Sequence, residues 1–147
     1  MDRNDLIATL NDLTETSRDG EDGFRTCAEG VKNPQLKSFF EEKARRCAEG
    51  AAQLQGKVIE LGGKPERSGS TAGALHRAWV DLKSTITGMD DAAILAECER
   101  GENIACQAYE DALKRDLPPD VRMLIDRQYR EVKANYERVR ELRNAPA

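Results

Sequence analysis

Four charged or amide residues fall on the inward faces of apolar helical stripes, Lys43, Glu102, Gln128 and Asn135, with Glu21 at the edge. At mid-height in a helix bundle, carboxylates in such a layer can ligate iron or manganese, which accept oxygen donors. Lys43 argues for different chemistry. Its ammonium group brings a positive charge to the place a cation would occupy. A buried Glu beside a buried Lys accounts for both, because each charge removed from water needs a partner. Gln128 and Asn135 can meet the remaining donors and acceptors. The central polar layer is therefore read as Lys43, Glu102, Gln128 and Asn135, fixing helix register, with no catalytic residue and no cofactor. Two alternatives stay open. One is a catalytic or regulatory use of Glu102 or Lys43. The other is a carboxylate-only metal site built from Glu21, Glu102 and Glu131, holding iron or manganese.

The elements that must position these residues are helical. A first helix is predicted from about residue 5 to 31, capped by Asn4 or Asp5, with a stripe of Leu6, Leu10, Leu13, Phe24, Cys27 and Val31. Asn33-Pro34 starts a second, to residue 61, where Gly62-Gly63 and Pro65 stop it. A shorter helix over 71–87 follows a Gly/Ser/Pro-containing loop, capped by Ser70 or Thr71, with Leu75, Trp79, Leu82 and Ile86 on its stripe. Asp90 or Asp91 caps a fourth over 91–115, and Leu117-Pro118-Pro119-Asp120 turns the chain into a fifth over 119–143. The short turns make the long helices two antiparallel hairpins. Taking 100° per residue, Lys43 lies roughly 20° from the centre of its apolar face, Glu102 about 35° from the centre of its own, and Glu42 roughly 120° away, toward solvent.

Other chemistry is sparse. Cys27, Cys47, Cys98 and Cys106 form no C-x-x-C pair and are read as small core hydrophobes in a reducing compartment. His76, the one histidine, is read as an edge residue of the short helix, and Trp79 as the anchor of that helix. Tyr109 is expected in the core, its hydroxyl turned to the polar layer. Met123 and Tyr129 fall off the inner face of the last helix and would suit self-association. Gly50, Gly101, Ala105 and Ala108 leave space in the core or let helices approach. Neither a phosphate-binding loop nor a Ser/His/Asp or Cys/His set can be assembled.

The chain of 147 residues is 34% charged and 39% hydrophobic, with a net charge of −4 and interspersed signs. That composition suits one domain, residues 1–147, of helices that each bury a stripe. It supports neither a nucleic-acid partner nor a membrane, since no basic patch and no apolar run of about 20 residues occurs. The first residues lack a basic and apolar leader pattern, so a cytoplasmic location is expected.

Residues 68–83, Ser-Gly-Ser-Thr-Ala-Gly-Ala-Leu-His-Arg-Ala-Trp-Val-Asp-Leu-Lys, and 94–102, Ile-Leu-Ala-Glu-Cys-Glu-Arg-Gly-Glu, are distinctive. Both resemble a bacterial family of ferritin-like four-helix-bundle proteins, conserved hypothetical proteins of unknown function. The resemblance runs over about residues 5–143. It implies an all-α ferritin-like four-helix bundle, two antiparallel hairpins joined by a long crossover that contains an additional helix. Di-iron members of the wider group carry a Glu on the first and third bundle helices and Glu-x-x-His on the second and fourth. Glu21 and Glu102 match the single carboxylates. Glu42 is followed three residues on by Arg45, Glu131 by Ala134, and Asn135-Tyr136 stands where the family carries a His.

The expected function is accordingly a non-catalytic bundle, structural, stress-related or acting through interactions, as a homodimer or other homo-oligomer. A degenerate metal-binding or oxidoreductase protein is the alternative. Small-molecule binding in the bundle core is a third.

Overall fold

The computed structural model describes residues 1–65 and 72–145, with the side chain of Ala72 left aside. The expected cap at Ser70 or Thr71 and the end of the C-terminal tail lie outside them. The described residues form five α-helices and no strand: α1 Arg3–Gly30, α2 Pro34–Glu60, α3 Ala72–Thr85, α4 Asp91–Leu113 and α5 Pro119–Asn144.

The helix ends follow local chemistry. Asn33 accepts from the Gln35 and Leu36 N–H groups at 2.8 and 3.3 Å, with Pro34 as the first helical residue. Gly62 takes φ +79°, which lets the Gly63 N–H reach the Val58 carbonyl at 2.9 Å and closes α2. Asp90, not Asp91, caps α4 by accepting from the Ala93 N–H at 2.8 Å. Asp91 has a different task. Its carboxylate accepts from the Lys32 and Asn33 N–H groups at 2.8 and 3.0 Å, holding the α1–α2 turn against the start of α4. One cap differs from expectation. Asp2, extended at φ −76° and ψ 166°, accepts from the Asp5 N–H, so α1 starts at Arg3 and Asn4 and Asp5 lie inside it. The earlier start brings Arg3 to the other end of the hairpin, where Nε and Nη2 donate to the Leu61 and Gly62 carbonyls at 2.6 and 3.0 Å.

α1 packs most closely on α2, and α4 on α5; α3 lies against α1 and α4. The core is in two parts. Phe24, Phe40, Trp79, Leu82, Ile94 and Val139 fill one, and Leu10, Leu13, Leu54, Val58, Val121 and Ile125 the other. On each long helix the stretch between them holds a polar or small residue: Ser17, Gly50, Glu102 and Gln128.

Trp79 docks α3. It is 5% exposed and its indole packs 6.2 Å from the Phe24 ring. The indole enters where two helices lack a side chain. A Cβ on Gly23 would lie 2.1 Å from Trp79 Cδ2, and one on Gly101 would lie 2.6 Å from Cζ2. Both distances are far inside van der Waals contact, so glycine is required by close approach. Gly23→Ala should therefore destabilise the protein by about 1–3 kcal/mol through overpacking, despite alanine's better helix propensity. Trp79→Ala should cost about 3–5 kcal/mol. In the double variant the penalties should be less than additive. Urea unfolding of the four proteins measures this; a neutral or stabilising Gly23→Ala would refute the clamp.

Candidate functional site

Glu102 points into the bundle from α4 and is 3% exposed. Its carboxyl makes no hydrogen bond or ion pair with any described residue. Burial drives its pKa from 4.5 up to about 8, and the charge of Lys43 only partly offsets this. The group is therefore largely protonated at neutral pH.

Lys43 does not pair with it directly. The amine sits 5.3 Å from the centroid of the Phe39 ring, one turn back on the same helix. The side chain is half-buried, in keeping with a long apolar stem whose ammonium stays near water. The predicted Lys–Glu contact is corrected on this point. A helical angle places a Cβ, and three further carbons let the ammonium stay near water, avoiding the cost of full burial.

The hydrogen bonds of the layer come from neutral groups. The Tyr109 hydroxyl donates to Gln128 Oε1 at 2.8 Å and lies 3.3 Å from the Ser17 hydroxyl. Gln128 Nε2 donates to the Gly50 carbonyl and to Gln53 Oε1, both at 3.1 Å. One network thus joins α1, α2, α4 and α5. Burial raises the Tyr109 pKa, which keeps the phenol protonated. Asn135 is 7% exposed and borders a cleft of about 40 Å³ together with Ser17, Cys47, Gly50, Tyr109, Gln128 and Val132. At the mouth Arg46 holds Glu131 by two bonds, from Nε at 2.6 Å and Nη2 at 2.8 Å.

The three carboxylates weighed as metal ligands are not brought together as a set. Glu21 pairs with Arg25 at 2.5 Å, Glu131 with Arg46, and Glu102 stays alone and protonated. Glu42 pairs with Arg45 on the surface, which lowers its pKa through that hydrogen bond. Among the described residues no group of three or more His, Cys, Asp or Glu side chains is placed to hold a metal ion. These donors do not fit a di-iron or di-manganese centre, which needs several ionised carboxylates converging with imidazole. The four cysteines are free thiols, Cys27 and Cys98 fully buried, and burial raises the Cys47, Cys98 and Cys106 pKa values.

Some positions escaped sequence reading. Ser17 reads as a gap filler yet joins the network, and Gln53 lies on the exposed side of α2. Asp19, 2% exposed, accepts from or faces His76 Nδ1 at 3.1 Å, while the imidazole is half exposed. The signal for Asp19 is its spacing of three from Thr16 and four from Gly23, which puts it on the α1 face that receives α3.

A raised carboxyl pKa has a definite sign in stability. Between pH 4.5 and 8 the folded protein keeps the Glu102 proton that the unfolded chain has released, so stability falls as pH rises through that window. Glu102→Gln removes this dependence. From pH 5 to 9 its stability relative to the parent should grow by about 4 kcal/mol. Urea unfolding across that range is the measurement, and parallel curves for the two proteins would contradict the assignment.

No curated protein matches the chain. Residues 5–115, which span α1 to α4, match the family model described as Domain of unknown function (DUF2383). That match covers more than half of the sequence, and the protein belongs to this family of unknown function.

Proposed function

We propose that the protein is a ferritin-like four-helix bundle that acts without catalysis, as a structural, stress-related or interaction protein, with a neutral polar layer where a di-iron centre would lie. In this reading α1–α2 and α4–α5 are the two hairpins, and α3 belongs to the crossover between them. The observation that supports it is the chemistry of the layer. Gln128, Tyr109 and Ser17 satisfy one another, and Glu102, buried in the same layer, holds its proton. Such a layer orders helices and offers little to a cation or a redox reaction. The activity then falls to the surface, which is charged and laced with ion pairs within and between helices.

Self-association as a homodimer belongs to the same proposal, with the protein cytoplasmic and without nucleic-acid or membrane partners. Met123, 73% exposed on α5, is the apolar residue offered for that contact. Tyr129 is engaged on its own chain, its hydroxyl donating to Glu110 at 2.7 Å.

Protein purified without chelator should contain only trace iron and manganese by elemental analysis. Its melting temperature should stay constant as Fe(II) or Mn(II) is added anaerobically. A saturable rise in melting temperature that Glu102→Gln abolishes would overturn the reading in favour of a carboxylate metal site. Light scattering over a concentration series tests the oligomer; a monomer throughout, insensitive to Met123→Lys, would remove the homodimer.

A further inference from the structure

α1 and α4 run antiparallel, and three pairs fix their register. A Cβ on Gly30 would lie 3.1 Å from Ile94 Cδ1, Gly23 and Gly101 flank the same Trp79 indole, and the Ser17 and Tyr109 hydroxyls lie 3.3 Å apart. Between the first two pairs the same register sets Cys27 opposite Cys98. Both thiols are fully buried in one apolar cluster, outside the polar layer, and a thiol–thiol hydrogen bond joins them. The other two thiols sit elsewhere. Cys47 Sγ packs on Gly20, where a Cβ would lie 3.2 Å away, and Gly20 is roughly 10 Å along α1 from Cys27. Cys106 is roughly 12 Å along α4 from Cys98. Packed helices with axes about 8–10 Å apart place facing Cα atoms roughly 4–6 Å apart, within the span a disulfide bridges.

α3 covers the pair. Among the described residues it packs on α1 and α4 alone, with Trp79 over the seam one turn from the thiols and Leu82 in their cluster. While α3 is docked, burial pushes the Cys98 thiol up, so it stays protonated and a poor nucleophile. Lifting α3 admits water to the seam and removes that penalty. Two thiolates around a monovalent soft cation would leave a net negative charge in the apolar cluster, whereas a disulfide leaves none. We propose that Cys27 and Cys98 are a redox-responsive pair, closed to a disulfide by a hydroperoxide when α3 lifts from the α1–α4 seam. With hydrogen peroxide, the Cys98 thiolate attacks one oxygen and breaks the O–O bond. Hydroxide leaves and takes up a proton as water, and Cys98 becomes a sulfenic acid. The Cys27 sulfur then attacks the Cys98 sulfur, forming S–S, and the hydroxyl leaves with the Cys27 proton as a second water. Two thiols lose two electrons and one peroxide gains them. The inference goes beyond the non-catalytic reading, which needs no thiol chemistry, and its failure would leave that reading standing.

The test treats the native full chain with hydrogen peroxide, blocks remaining thiols with iodoacetamide and maps peptides without reductant. A Cys27–Cys98 linked peptide is expected, with Cys47 and Cys106 alkylated and the monomer lighter by two hydrogens. The oxidised protein should melt at a higher temperature than the reduced one, because the bond constrains the unfolded chain, and dithiothreitol should reverse the shift. Cys27→Ser and Cys98→Ser should each form no intramolecular bond. Trp79→Phe, which shrinks the anchor of α3 while keeping an aromatic ring, should speed closure severalfold. Cys27 and Cys98 alkylated throughout, or linked instead to Cys47 or Cys106, would overturn the proposal. An unchanged closure rate in Trp79→Phe would overturn the part given to α3.

Discussion

A carboxyl group taken out of water without a hydrogen bond or a direct counter-charge cannot remain ionised at ordinary cost. Glu102 occupies that position in the middle of α4, and its proton keeps the centre neutral. The surrounding arrangement is consistent with this one constraint. The groups that hydrogen-bond across the bundle centre are a phenol, a primary amide, a hydroxyl and a backbone carbonyl. Ion pairs bridge helices at the rim: Arg46 with Glu131 across α2–α5, and Arg143 with Glu99 across α4–α5. Rim pairs of this kind contribute little to stability individually. Their role is to close seams over a neutral interior.

The same neutrality divides the core. Two apolar clusters meet at the polar layer, and Val132 packs against both. A continuous apolar core would let four similar helices slide by a turn with little penalty. Directed hydrogen bonds from Tyr109 and Gln128 allow one register, because a slip would leave an amide and a phenol unmet. α3 depends on the bundle more than the bundle depends on it. At 14 residues it is near the length at which an isolated helix is marginal in water. Leu75, Trp79 and Leu82 supply its burial, and His76 meets Asp19 of α1 beside them.

Legibility in the sequence tracked the range of the interaction. Asn33-Pro34, Gly62-Gly63 and Leu117-Pro118-Pro119 announce helix boundaries because capping and φ preferences act over three or four residues. Inward faces were legible for Glu102, Gln128 and Asn135, whose short reach keeps the polar group close to the Cβ direction. Lys43 was misread for the opposite reason: its wheel position is inward while its charge ends over Phe39. Asp2 was missed because Asn4 and Asp5 are equally good caps by type, and register alone separates them. Gly23 against Trp79 was illegible, since nothing local to a mid-helix glycine says which distant side chain will fill its place.

The family match adds a boundary of its own. It spans α1 to α4, and therefore includes Ser17, Gly50, Trp79, Gly101, Glu102 and Tyr109. Gln128, Glu131 and Asn135 lie beyond it, on α5. The matched segment thus holds the buried acid, the phenol and the glycine–indole clamp, while the residues that complete the network and close the seam come from the last helix. Family membership accordingly speaks to the half of the layer that creates the electrostatic problem. The half that resolves it, with an amide acceptor for Tyr109 and an acid for Arg46, has to be argued from this chain's own geometry.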